Sequence, residues 1–134
     1  MTREAAIAHF QAFGARCEAR HHSGRDVIGI QLRHSSVTDD DLEFLEHLRD
    51  DVDVIGLEGT SISDDGLAHL LNLRFLENVD LTGTSITDVG LSTLSQLASL
   101  EYIHIEGTRV SLTGIRRLRA ALPQCEIVCD FDLE

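Results

Sequence analysis

The chain has 134 residues, 43% of them apolar and 25% charged, with a net charge of −12 and eleven basic residues that are all arginine. Such a length fits one domain with a core large enough to fold without disulfides or a structural metal, and such a composition excludes a disordered chain. The acidity argues against nucleic acid and anionic membranes as partners, and an aromatic content of 4% without tryptophan argues against an aromatic binding cage.

In chain order, residues 3–13 predict a helix whose apolar side is Ala5, Ile7, Ala8, Phe10 and Phe13, stopped by Gly14. Arg3, Glu4 and His9 interrupt any leader-like apolar run at this end. No segment approaches the roughly 18 apolar residues of a membrane helix. Ala15–Arg20 reads as a strand, residues 22–25 as a turn, and Val27–Leu32 as a second strand, a hairpin.

A strict internal period follows. Ile55-Gly56-Leu57-Glu58-Gly59-Thr60-Ser61-Ile62-Ser63-Asp64 recurs 24 residues on as Val79-Asp80-Leu81-Thr82-Gly83-Thr84-Ser85-Ile86-Thr87-Asp88. Another 24 residues bring Ile103-His104-Ile105-Glu106-Gly107-Thr108-Arg109-Val110. An earlier unit, Ile30 to Asp39, is offset by 25, which places one extra residue within Arg49–Val52. The first part of each unit alternates apolar and polar residues, the period of a strand. The second part spaces apolar residues by three, which suits one face of a short helix. Between them Thr38-Asp39, Ser63-Asp64 and Thr87-Asp88 supply residues that favour a helix N-terminus. The acidic run from Asp39 to Asp53 holds Leu42, Phe44, Leu45 and Leu48 at helical spacing and lacks the glycine of a calcium loop, so it reads as a helix with an acidic outer face.

The units resemble leucine-rich repeats of a short bacterial type, similar to the cysteine-containing subclass, over Val27 to Val128. The resemblance implies an α/β right-handed solenoid with a parallel concave sheet and convex helices, capped at both ends. It also implies that Ser35, Thr60, Thr84 and Thr108, at the position of the family's Asn or Cys, bond to backbone inside the coil. The expected organisation is an N-terminal helix and hairpin cap over 1–26, repeats over 27–124, and a capping strand with an acidic tail (Asp130, Asp132 and Glu134) over 125–134. Pro123 breaks the last helix, and Cys125–Phe131 predicts the final strand, with Ile127 or Val128 inward.

The strand alternation points Gln31, Arg33, Glu58, Asn78, Asp80, Thr82, Tyr102, His104 and Glu106 outward, with Gln31, Gly56, Asp80 and His104 in one row. The resemblance implies that this face binds another protein. The charge between residues 26 and 108 is −14, which favours a basic partner surface. Arg116, Arg117 and Arg119 form a local basic patch on the last helix. Asp80 beside His104 has no serine or cysteine nucleophile in its row, so it reads as a polar surface pair and not as a catalytic dyad. The seven histidines and the Cys125-x-x-x-Cys129 pair match no metal-ligand spacing, and no glycine loop is followed by Lys-Ser/Thr. Three cysteines, an odd number, suit a reduced cytoplasmic setting. The expectation is a non-catalytic interaction module without cofactor or metal, a monomer or weakly self-associating. A structural or regulatory subunit of a larger assembly and a metal-dependent hydrolase are the alternatives.

Overall fold

The alternating segments form six strands, which lie side by side in chain order in one sheet. They are β1 (Arg16–His22), β2 (Arg25–Gln31), β3 (Val52–Gly56), β4 (Asn78–Asp80), β5 (Tyr102–His104) and β6 (Glu126–Val128). The structure, a computed structural model, describes residues 1–131, so the tail residues Asp132 and Glu134 lie outside the described residues. From β2 to β6 every pairing is parallel, one strand per repeat. The hairpin expected ahead of the repeats joins the same sheet at its first edge, so the sheet as a whole is mixed. There β1 pairs antiparallel with β2, because a two-residue turn can return the chain only in that sense. Ser23 and Gly24, with φ of 52° and 80°, make that turn.

Helical segments connect successive strands. They are α1 (Arg3–Gln11) ahead of the sheet, the 3₁₀ helix η1 (Asp40–Leu48), α2 (Asp64–Leu67) running into the 3₁₀ helix η2 (Ala68–Asn72), α3 (Asp88–Leu94) and α4 (Leu112–Ala121). The acidic run is thus a 3₁₀ helix. Its buried residues, Leu42, Leu45 and Leu48, are three apart, and side chains three apart eclipse in that geometry. In α1 the buried residues are Ala6 and Phe10, whereas Ala5 and Ala8, expected inward, are exposed. A four-residue spacing lines up better on an α-helix than the mixed set read from the sequence.

One core runs the length of the stack, between the helical segments and one face of the sheet. Its rows follow the period: Ile30, Ile55, Val79 and Ile103 from the strands, Leu32, Leu57, Leu81 and Ile105 just after them, and Leu45, Leu70, Leu94 and Leu118 from the helices. Each fully buried side chain of this kind contributes about 1.5–3 kcal/mol. Ile127 of the last strand packs on the core, as one of the two inward candidates, while Val128 takes the opposite register position.

Polar ladders register the repeats. The amides of His34, Gly59 and Gly83 donate to the carbonyls of Glu58, Thr82 and Glu106 at 2.7–2.8 Å. At the last position the Asp130 carboxylate takes the role of the next repeat's carbonyl and accepts the amide of Gly107 at 2.8 Å. On the helix side, Asp39 accepts the amide and hydroxyl of Ser63, Asp64 those of Thr87, and Asp88 those of Ser111, at 2.8 and 2.5 Å in each case. The Ser/Thr-Asp pairs therefore do more than begin helices. Thr87 and Ser111 cap locally, through Val89 and Gly114, but Ser63 makes no such bond. The aspartates join each repeat to the next.

The hydroxyls of Thr60, Thr84 and Thr108 each donate at 2.7 Å to the carbonyl three residues back, closing the turn after the strand. Ser35 differs: its hydroxyl accepts the amide of Val37 at 3.4 Å.

Candidate functional site: the open face of the sheet

The sheet face opposite the core is lined by alternate residues of six strands. Gln31 on β2, Gly56 on β3, Asp80 on β4 and His104 on β5 form one row by register, and Val128 on β6 extends it. Asn78 and Tyr102 are neighbours in the row towards the strand starts. Arg33, Glu58, Thr82 and Glu106 lie two residues beyond the row, just past the ends of β2, β3, β4 and β5. Gln31, Glu58, Asn78, Asp80, Thr82 and His104 are half-buried, and Arg33, Tyr102 and Glu106 are exposed. The Gln31 side-chain amide lies across Gly56, in the space a Cβ there would take.

The expected polar pair is not made. Among the described residues no hydrogen bond or ion pair joins Asp80 to His104; Asp80 instead accepts the amide of Thr82 at 3.0 Å. Arg33 pairs with Glu58 across the strands at 3.1 Å. Tyr102, 45% exposed, presents a large aromatic side chain on this face.

Charge is divided along the face. At the β1–β2 end stand Arg16, Arg20, Arg25 and Arg33, with Glu18, Asp53 and Glu77 among them. The outward positions of β4, β5 and β6 and the residues that follow carry Asp80, Glu106, Glu126 and Asp130 and no arginine.

At the basic end stands a cluster that sequence spacing did not show. Ile28 and Gly29 are consecutive on β2, but their partners on β3 are Val52 and Val54, so Asp53 has no partner on β2 and the ladder is irregular there. The extra residue does fall just after Arg49: the amides of Arg74 and Glu77, three residues apart, donate to the carbonyls of Arg49 and Asp53, four residues apart, so Asp53 itself stands at the regular repeat position of Glu77. Asp53 is only 2% exposed, and both its oxygens lie 2.6 Å from Nη2 of Arg20, whose guanidinium passes over Gly29 to reach them. Beside it, Nε2 of His22 is 3.0 Å from Glu77. Ligand atoms of His22, Asp53 and Glu77 all lie within 4.8 Å of one another. Arg25 covers this end with its guanidinium carbon 3.4 Å from the centre of the Phe75 ring.

The thiols of Cys17 and Cys125 offer little chemistry. All three cysteines are free. Burial pushes the Cys125 thiol up to about 11, with Glu101 and Glu126 adding to the effect, and burial also raises Cys17. Protonated thiols are poor nucleophiles and poor metal ligands.

No family model matches the chain, and no curated protein does. Among solved structures, it is similar to the LRR ectodomain of the receptor kinase SOBIR1 from Arabidopsis thaliana, at 13% identity and a TM-score of 0.45, over 96% of this chain and 92% of that one. Among the described residues, no helix is long and apolar enough to cross a membrane.

Proposed function

We propose that this chain is a non-catalytic, leucine-rich-repeat module of the cytoplasm that binds a basic segment of another protein on the open sheet face. In this reading the stack is a right-handed solenoid and the open face is its concave side. Residues 1–26 cap the first repeat, 27–124 are the repeats, and 125–134 close the other end. The observation that carries the reading is the uneven face itself. Its β4–β6 part pairs an exposed tyrosine with carboxylates and no cation, and Tyr102 has the amphipathic character typical of an interface anchor.

The contact set would be Asn78, Asp80, Thr82, Tyr102, His104 and Glu106, with Gln31, Arg33 and Glu58 at the basic margin. Because Arg33 already neutralises Glu58, the attraction for a basic partner centres on Asp80 and Glu106. Capture from native lysate with the intact chain and with the double variant Asp80→Arg/Tyr102→Ala tests this. One specific protein is expected to be lost from the variant's capture, and its retention on the intact chain should weaken as salt rises. An identical capture set for both chains would place binding elsewhere.

A further inference from the structure

We propose that His22, Asp53 and Glu77 hold one divalent transition-metal ion of the zinc or cobalt kind, clamping the N-terminal hairpin to the repeats. The residues come from three segments far apart in sequence: the end of β1, the bulge of β3 and the turn entering β4. The fold brings one imidazole nitrogen and two carboxylates within 4.8 Å of each other. A tetrahedral ion with bonds of about 2.0–2.2 Å needs its ligand atoms about 3.4 Å apart. His22 and Glu77 already meet at 3.0 Å, and both side chains are partly exposed, so small rotations centre them on Asp53.

The charges fit one dication. Arg20 neutralises one of the two carboxylates, which leaves a net −1 with a neutral imidazole. Arg20 need not leave: each Asp53 oxygen spends one lone pair on Nη2 and keeps another, and such a hydrogen bond orients a carboxylate ligand. A nitrogen with two carboxylates favours a borderline metal over calcium or magnesium, which take oxygen ligands alone. Three protein ligands leave a fourth position to solvent on the open face. Asp53 is the residue the site depends on: Glu77 and Glu101 hold the same position in the next repeats, but only Asp53 is buried, where the hairpin's Arg20 and His22 cover it.

The test is titration of the chelator-stripped full chain with Zn²⁺ by calorimetry and with Co²⁺ by visible absorption. One ion per chain is expected, with Co²⁺ bands of a nitrogen and oxygen site and no thiolate charge-transfer band. His22→Ala and Glu77→Gln should each weaken binding by about tenfold or more while keeping the circular dichroism of the parent. His21→Ala serves as the control and should bind as the parent does, because the neighbouring histidine points to the other face of β1 and pairs with Asp26. Zn²⁺ should also raise the melting temperature of the parent and not that of His22→Ala. The proposal is overturned by failure to saturate at one ion, by undiminished binding in His22→Ala, or by a thiolate band that assigns the metal to cysteine.

Discussion

The Asp88 carboxylate and Ser111 are joined twice across one repeat, with the Ser111 amide at 2.8 Å and its hydroxyl at 2.5 Å. The hydroxyl bond, then the amide bond, holds the Asp88 carboxyl below the ordinary carboxylate range, against a smaller upward push from burial; Arg117 adds to the lowering. A carboxyl lowered in the folded state stabilises above its unfolded value of about 3.9, and that stabilisation is lost as pH falls through the lower folded value. Asp88→Ala should therefore lower stability at pH 6 by about 1 kcal/mol, for bonds in a solvent-exposed setting, and with it the melting temperature. The gap to the parent should close on acidification below pH 4. Melting curves from pH 7 to pH 2 check it, and a gap constant with pH would remove the carboxylate from the account.

Gly114 has a matching role. Its missing Cβ is the space that the Asp88 carboxylate occupies, and Gly66 and Gly90 stand in the same relation to Asp39 and Asp64. In an open helix, Gly→Ala gains about 1 kcal/mol of propensity. Within α4, Gly114→Ala should instead destabilise, because the added methyl displaces a carboxylate held by two hydrogen bonds. In the Asp88→Ala background the same change should stabilise. Urea unfolding of the four chains of this cycle measures the coupling, and a Gly114→Ala effect of the same sign in both backgrounds would contradict it.

The row Gln31, Gly56, Asp80 and His104 was legible because a 24-residue period and a strand alternation of two together fix both neighbours and facing. The aspartate ladder was not, since Ser, Thr and Asp before a helix already satisfy a local rule, and nothing in that rule reveals a partner one repeat away. The cluster of Arg20, His22, Asp53 and Glu77 was hidden for a different reason. Its members sit 2, 31 and 24 residues apart in succession. The last step is the repeat period, which stacks Asp53 and Glu77 on neighbouring repeats, but nothing in that period reveals that Arg20 and His22 of the hairpin reach across to them. Asp130 is a similar case: in the sequence it is one acid of a tail, and in the fold it completes the amide ladder at Gly107.

His34 occupies the turn position that Gly59, Gly83 and Gly107 fill in later repeats, with φ of 57° against 67–72°. A residue with a Cβ pays about 1–2 kcal/mol in this left-handed region, and glycine pays part of that back in chain entropy. The His34 ring lies against Gly59, where a Cβ would clash. His34→Gly should raise stability by about 0.5–1 kcal/mol, read as a higher urea midpoint at unchanged slope. His34→Val should lower the midpoint, because a β-branched side chain fits this region worst. A lower midpoint for His34→Gly would show that ring packing on Gly59 outweighs the backbone strain.

The Arg20–Asp53 pair tests how the hairpin is held on the repeats. Asp53 is almost wholly out of water while Arg20 keeps 40% of its side-chain surface, so the two truncations differ. Arg20→Ala leaves a desolvated carboxylate with no cation and should cost about 3 kcal/mol. Adding Asp53→Ala to that variant removes the stranded charge and should restore part of the loss. Hydrogen exchange then locates the effect: β1 amides should lose protection first in Arg20→Ala, because β1 is an edge strand attached to the stack through β2 and this pair. Were Arg20→Ala to melt uniformly, or the double variant to be less stable than Arg20→Ala alone, the pair would not be what anchors the hairpin.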